Sequence, residues 1–337
     1  MYDQLQNLVL QASTILIIQG ENPDGDSLGS ALALEEILGD LGKQVHLYCA
    51  IEMPKYLRYA AGWDRVSQEF PRQFDLAIIV DTAAQALLEK TLVPENLAQL
   101  QKHPLVILDH HQTDSDLTLD YTPIIDPSAV ATGELIASAA KALSWQINPS
   151  AATSIVIAVM SDSLGLTTET TTLNSAQTIV DMMRLGANLA QIETRRREFN
   201  KKPAEILAYK AQLIERITYH LDGRLALVHI PWEDIQKYSD KYNPSVLVLD
   251  EMRLVEGVRL AVAIKTYPDG KLTGKIRCNS DAPIGEQVAG YFGGGGHSYA
   301  AGFKVHENYD TLLPELISAV DKLLGDPDAQ TPQHTVA

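Results

Sequence analysis

The chain has only two cysteines, Cys49 and Cys278, in 337 residues. That is too few for a disulfide framework and suits a reducing compartment. It is also poor in positive charge. Lysine and arginine together number 27 against 43 aspartates and glutamates, a formal net charge of −16. Tracking along a long nucleic acid depends on clustered cations that displace counterions, so this balance excludes a long polyanion as partner. A short anionic substrate held by metals and a few local cations stays compatible. No apolar run approaches the roughly 20 residues of a membrane span, and Met1-Tyr2-Asp3-Gln4-Leu5 has no basic leader character. There is no internal repeat and no low-complexity segment. The expectation is a cytoplasmic protein without a membrane partner, with oligomeric state left open between monomer and homodimer.

What is present is the make-up of a globular protein, with 45% hydrophobic and 21% charged residues. The length fits two domains. Four apolar runs end on acids or imidazoles. Thr14 to Ile18 leads into Asn22-Pro23-Asp24-Gly25-Asp26; Phe74 to Val80 ends on Asp81; Leu105 to Leu108 ends on Asp109-His110-His111; Ile155 to Met160, helix or strand, ends on Asp162. A helix is expected from an Asp26 N-cap to about Leu41, closed by Gly42. Strands at 45–49 and 74–80, helical material at 82–100 and helices at 131–143 and 151–160 complete an α/β fold, a doubly wound, mostly parallel sheet. In such sheets the ligand site lies outside the carboxyl ends of the strands. All four endings are therefore expected to meet in one cleft.

Thr167 to Thr172 reads as a polar loop beside that cleft, followed by a helix to Leu185. The segment 194–202, with Arg195, Arg196, Arg197, Lys201 and Lys202, is the densest basic cluster, and its plain reading is a solvated helix face. From about Arg224 a smaller α/β domain is expected: a strand at 224–230, a helix at 232–241, a hairpin of 258–265 and 271–278 around Pro268-Asp269-Gly270, a helix at 284–292, a strand at 302–305 and a helix at 311–324. The predicted division is 1–190, a helical linker 191–220, a second domain 221–325 and a frayed tail 326–337.

Asp24, Asp26, Asp81, His110 and Asp162 form a mixed oxygen and nitrogen set suited to octahedral divalent ions, Mn²⁺ above all. One shared carboxylate, best supplied by Asp81, would bridge two ions that activate water for phosphoryl displacement.

Asn22-Pro23-Asp24-Gly25-Asp26, Asp81, Asp109-His110-His111 and Ser161-Asp162-Ser163, in that order, resemble the four motifs of the DHH phosphoesterase superfamily. Gly293-Gly294-Gly295-Gly296-His297 with Ala300-Ala301-Gly302 resembles the substrate domain of its NrnA-like oligoribonuclease and pAp phosphatase branch. The resemblance implies a two-metal enzyme acting on short RNA or small nucleotides. Asp24 and Asp81 would hold one Mn²⁺, and Asp26, Asp81, His110 and Asp162 the other. Asp109 would orient neighbouring ligands, and His111 would contact the scissile phosphate or assist the leaving group. Gly294, Gly295, Gly296 and His297 would bind the far end of the substrate.

Two positions depart from the family pattern. Gly20 stands where the first motif usually has histidine, which weakens the first metal site and admits Mg²⁺. Asn279-Ser280 stands where arginine and serine are usual, leaving Arg277 on the same strand face as the substitute phosphate contact and Arg253 as a weaker one. The expected function is metal-dependent hydrolysis of short oligoribonucleotides, linear dinucleotides and 3′-phosphoadenosine 5′-phosphate. The alternatives are a nucleotide-binding protein whose chemistry has decayed and a pyrophosphatase.

Overall fold

The computed structural model describes residues 2–111, 117–239 and 241–325, with the side chain of His297 also outside the described atoms. The expected frayed tail, 326–337, lies outside the described residues. The chain divides into two compact units, 1–201 and 202–337.

The first unit runs α1 (Asp3–Gln11), β1 (Thr14–Gln19), α2 (Gly25–Asp40), β2 (Gln44–Tyr48), β3 (Leu76–Val80), α3 (Pro94–Leu100), β4 (Leu105–Asp109), β5 (Thr122–Ile125), α4 (Thr132–Ala142), α5 (Pro149–Asp162), α6 (Leu173–Arg184) and α7 (Leu189–Phe199). Its five strands form one sheet in the order β2-β1-β3-β4-β5, every neighbouring pair parallel. Strands buried on both faces are apolar at every position rather than alternate ones. Ile15, Ile17, Ile78 and Leu108 pack under α2, α4 and α5, while Leu16, Ile18, Ile79 and Ile107 pack on the other face with Leu88 and Leu100. The α/β expectation holds. Of the helical material expected at 82–100, only a 3₁₀ turn at Gln85–Leu87 and α3 form.

In this strand order the sheet reverses direction of growth between β1 and β3, so the crevice opens there, outside the carboxyl ends. The run before Asp162 is a helix, not a fourth strand. The Asn148 side chain accepts from the Ala151 amide and Pro149 starts the first turn, so fourteen residues coil despite the β-branched Ile155, Val156 and Val159.

Glycines set how closely α2 lies on α5. A Cβ at Gly29 would stand 2.6 Å from the Ser154 carbonyl oxygen and 2.9 Å from the Ala158 amide nitrogen, both rigid backbone atoms. Gly29→Val should therefore cost about 3 kcal/mol through overpacking, more than the ~1 kcal/mol a helix gains on losing glycine. A denaturant midpoint equal to wild type would show that the two helices can move apart freely.

The second unit runs α8 (Ala204–Glu215), β6 (Thr218–His220), β7 (Leu225–Ile230), α9 (Trp232–Tyr238), α10 (Leu249–Arg253), β8 (Leu260–Thr266), β9 (Lys271–Cys278), α11 (Gly285–Tyr291), β10 (Gly295–His297), β11 (Ala300–His306) and α12 (Tyr309–Leu324). Its sheet has the order β10-β11-β9-β8-β7-β6. Leu260, Val262, Ile276 and Phe303 face α11 and α12 on one side; Val228, Ala261 and Ala263 face α8, α9 and α10 on the other. The segment expected as a helical linker, 191–220, contributes α7 to the first unit and α8 to the second, where Ile206, Tyr209 and Leu213 are fully buried.

Three of the five cations in the basic segment 194–202 pair with nearby acids. Arg196 and Arg197 both pair with Glu193, at 2.7 and 2.6 Å, and Lys201 pairs with Glu198 at 2.7 Å. The segment is a solvated helix end, as its plain reading held.

Candidate functional site

The β1 to α2 turn places two aspartates differently. Asp24, expected as a ligand, is the N-cap of α2, the role expected of Asp26. One Asp24 carboxylate oxygen, Oδ1, accepts from the Asp26 and Ser27 amides at 3.0 Å, while Ser27 Oγ accepts from the Asp24 amide. The cap sits two residues earlier than expected, with Gly25 as the first helical residue. That frees the Asp26 side chain to turn inward, where it is fully buried. Its Oδ2 accepts from the Thr132 amide at 2.6 Å and its Oδ1 from the Gly133 amide and the Ser30 hydroxyl, each at 3.0 Å. Asp26 thus satisfies the first free amides of α4, where a carboxylate also meets the positive end of the helix.

Asp81 follows β3 with φ +64, the left-handed region that aspartate tolerates better than most residues. Its amide donates to the Leu108 carbonyl at 2.8 Å, and the Thr132 hydroxyl donates to its Oδ1 at 3.2 Å. Asp162 closes α5, where its charge lies beside the unpaired carbonyls of a helix C-terminus and is disfavoured without a cation.

His110 stands among these acids. Its Nε2 lies 3.3 Å from Asp162 Oδ2 and 3.6 Å from both Asp26 Oδ2 and Asp81 Oδ1. It is buried yet makes no hydrogen bond in acceptable geometry with any of them. Its Nδ1 is 3.3 Å from the Ala129 carbonyl, which can only accept, so Nδ1 carries a proton there and the neutral ring turns a lone pair toward three carboxylates. That arrangement is repulsive unless a proton or a metal ion stands between them; without metal the acids hold a proton on Nε2, and a divalent ion can take its place. The donor set and the orphaned nitrogen therefore fit a divalent ion. Two groups of side chains bring their ligand atoms within 4.8 Å of one another: Asp26, His110 and Asp162, and Asp81, His110 and His111. Among the described residues Asp24 joins neither, and Gly20, at the family's histidine position, has no side chain to offer.

Asp109 is 1% exposed. Its Oδ1 accepts from the amides of His110 and His111, at 2.8 and 3.2 Å, and from His111 Nδ1 at 2.7 Å. His111 itself is half exposed, with its other ring nitrogen left for a ligand.

The electrostatics follow from crowding. Burial, then the charge of Asp162, raises Asp26 to about 6, and burial with the neighbouring carboxylates raises Asp81 well above its usual range. Burial also raises Asp24. Burial alone would lower His110, but contact with Asp162 and the charges of Asp26 and Asp109 raise it to about 9. His111 is raised chiefly by its hydrogen bond to Asp109. Each raised group binds its proton more tightly in the fold than in the unfolded chain. The stability it contributes is complete below the unfolded pKa and lost as pH rises through the folded one. For Asp26 that window is about 3.8 to 6, and for His110 about 6.5 to 9. With chelator present, the melting temperature of the protein is expected to fall between pH 6.5 and 9 by on the order of 5 °C. Saturating Mn²⁺ should flatten that fall; a chelated profile that is level or rising contradicts the arrangement.

Thr132, the α4 amides and Ala129 were not anticipated from the sequence; their only signal is the small, polar start of a helix. In the second unit the glycine run is not an open loop. Gly295 to His297 form the edge strand β10, paired with Ala300 to Gly302. A Cβ at Gly294 would collide with the Gly302 carbonyl and Phe303, and Gly296, at φ +139, would press on Ala300 and Ala301. Gly293, at φ +69, and Gly295 have open space at their Cβ positions. Both amide hydrogens of Asn279 are committed to backbone, donated to the Arg253 and Val258 carbonyls at 2.9 and 2.8 Å. Arg277 lies on β9 with Nη1 donating to the Ile276 carbonyl.

Comparison with known proteins accords with this geometry. The bifunctional oligoribonuclease and PAP phosphatase NrnA of Thermus thermophilus is 25% identical over 290 residues, covering 86% of this chain and 83% of the relative. The protein of the same name from Bacillus subtilis is 21% identical over 311 residues, covering 90% of this chain and 93% of the relative. An exopolyphosphatase-related protein from Bacteroides fragilis has the same fold, with a TM-score of 0.84 at 20% identity over 96% of this chain and 97% of its own. Residues 14–186 match the model of the DHH family, N-terminal domain. With its strand-end acids and paired histidines in the positions described, the chain belongs to the DHH family of phosphoesterases.

Proposed function

We propose that the protein is a divalent-metal-dependent phosphoesterase that cleaves very short oligoribonucleotides to mononucleotides and removes a phosphate from 3′-phosphoadenosine 5′-phosphate. The observation that carries the metal is His110 Nε2, buried and unbonded among three carboxylate oxygens. The substrate class rests on the names of the relatives and on the net charge of −16, which disfavours long polyanions. The free, buried thiols of Cys49 and Cys278 suit a cytoplasmic setting.

In this reading Asp26, Asp81, His110 and Asp162 hold the metal, with His110 common to both sets of neighbours. Bound divalent ions would supply activation of water and neutralisation of charge on the phosphoryl group. The remaining work falls to the chain. Thr132 and the α4 amides fix the Asp26 and Asp81 carboxylates. Asp109 holds His111 Nδ1, so that the opposite nitrogen meets the phosphate. The raised pKa of His111 favours a proton there, available to the phosphate or to the departing oxygen.

The test is mononucleotide release from a 5′-phosphorylated diribonucleotide in Mn²⁺, set beside a 20-residue RNA and inorganic pyrophosphate. The dinucleotide should turn over at least about tenfold faster than the long RNA, and chelator should stop it. Cleavage of pyrophosphate alone would assign the chain to the pyrophosphatase reading. Binding without turnover would assign it to the decayed one.

A further inference from the structure

The candidate ligands of the first unit converge on one point. His110 has one nitrogen to offer, because Nδ1 faces the Ala129 carbonyl at 3.3 Å. The other, Nε2, lies 3.3 Å from Asp162 Oδ2 and 3.6 Å from both Asp26 Oδ2 and Asp81 Oδ1. Both groups of ligand atoms contain His110. A nitrogen lone pair binds one ion, so the two groups describe one place rather than two. His111 Nδ1 is taken by Asp109 at 2.7 Å.

A second ion would have to sit on the other side of Asp81, towards β1, and the segment after β1 supplies little for it. Gly20 has no side chain. Glu21 Oε1 accepts from the Lys90 and Thr91 amides, which ties its carboxylate to the backbone after β3. The Cys49 thiol donates to the Gly20 carbonyl at 3.4 Å, and burial raises its pKa, so it remains a thiol where only a thiolate would ligate. Asp24 Oδ1 is committed to the Asp26 and Ser27 amides, which leaves Oδ2. An ion held by one or two carboxylates keeps water in the rest of its shell and relies on substrate phosphate for further contacts. Crowding is not the reason for the gap. A Cβ at Gly20 would stand 3.4 Å from Thr82 Cγ2 and 3.6 Å from the Leu87 carbonyl oxygen, ordinary contact distances, and Gly20 is not among the glycines at positive φ.

We propose that the nucleotide-free protein holds one resident divalent ion, among Asp26, Asp81, His110 and Asp162, and that Gly20 is what keeps it from holding two. This rests on the metal-dependent phosphoesterase reading above and departs from the two-ion centre that the family resemblance implies. The neighbouring place offers Asp24 Oδ2 and a shared Asp81 oxygen. It should take an ion at least about a hundredfold more weakly, since loss of even a supporting contact behind a ligand costs about 10- to 100-fold in affinity.

The test counts metal in nucleotide-free protein and needs no turnover. The full chain is dialysed against free Mn²⁺ at about tenfold the Kd of its tight site. Bound manganese is then measured per chain, and the electron paramagnetic resonance spectrum is recorded. Wild type should hold one ion per chain and show the signal of isolated Mn²⁺. Gly20→His should hold two, with a signal broadened by coupling between ions about 3.5–4 Å apart. Gly20→Ala, which adds a Cβ but no ligand, should stay at one. Two ions of similar affinity in the wild type, or a coupled signal there, overturn the proposal. A folded Gly20→His that still holds one ion overturns the role given to Gly20; should that variant not fold, the wild-type count decides by itself. Wild type that binds no Mn²⁺ ends the metal reading and the proposal together. A chain that holds one ion yet hydrolyses no dinucleotide keeps this count and loses the phosphoesterase reading alone.

Discussion

Asp81→Asn is expected to abolish turnover while making the metal-free protein more stable. Asparagine keeps the shape of the side chain and tolerates the left-handed backbone that Asp81 adopts at φ +64. It can still accept from the Thr132 hydroxyl, now 3.2 Å from Asp81 Oδ1. What it removes is a negative charge that burial and neighbouring carboxylates already oppose. At pH 8 the chelated variant should therefore melt above the chelated wild type. With metal the order should reverse. Ligand at one hundred times its Kd stabilises by about 2.7 kcal/mol, on the order of 5–10 °C for a unit of this size. The variant should lose most of that shift. Metal chemistry contributes several kcal/mol to a phosphoryl transfer, so activity should drop about 10³-fold or more. A variant that keeps both activity and Mn²⁺ stabilisation would remove Asp81 from the site.

The second large effect is expected at Asp109, which touches no substrate in this account and acts through the histidines. One buried oxygen takes three donors, the His110 and His111 amides and His111 Nδ1. Asp109→Asn preserves an acceptor but weakens the hydrogen bond that is the main cause of the raised His111 pKa and removes the charge that adds to it. Activity should fall about 10- to 100-fold, the usual effect of removing a partner behind a working residue. The more telling readout is the pH profile. The limb belonging to His111 deprotonation should move to lower pH, whereas a merely structural role would lower the rate at every pH alike.

How much of this could be read from the chain depended on which signals are local. Asp81 and His110 were legible because strands buried on both faces are apolar at every position, so the first charged residue marks the strand end. Asp162 was legible as an acid after an apolar run, but not as a helix terminus. Ile155, Val156, Ile157 and Val159 fit helix or strand equally by periodicity, and the deciding features, Asn148 and Pro149, lie well upstream. That Asp24 rather than Asp26 caps α2 turned on two residues of helix start, which sequence rarely fixes. Thr132 meets Asp26 across 106 positions, through a backbone amide that no side-chain pattern advertises. The strand at Gly295 to His297 was hidden for another reason. Glycine has no strand signature, and here small size serves packing against Gly302, Phe303 and Ala301 rather than a loop. Asn279 looked like a lost phosphate contact; its two bonds to the Arg253 and Val258 carbonyls give it a structural task instead.

The central claim is that a divalent ion sits where His110 Nε2 meets Asp26, Asp81 and Asp162. Anomalous diffraction at the manganese edge, from crystals grown with Mn²⁺, tests it most directly. The account predicts a peak about 2 Å from His110 Nε2 and from carboxylate oxygens of those aspartates, absent in Asp81→Asn crystals or much reduced there. A map with no peak among these four side chains, in crystals of protein that hydrolyses the dinucleotide in Mn²⁺, would contradict it.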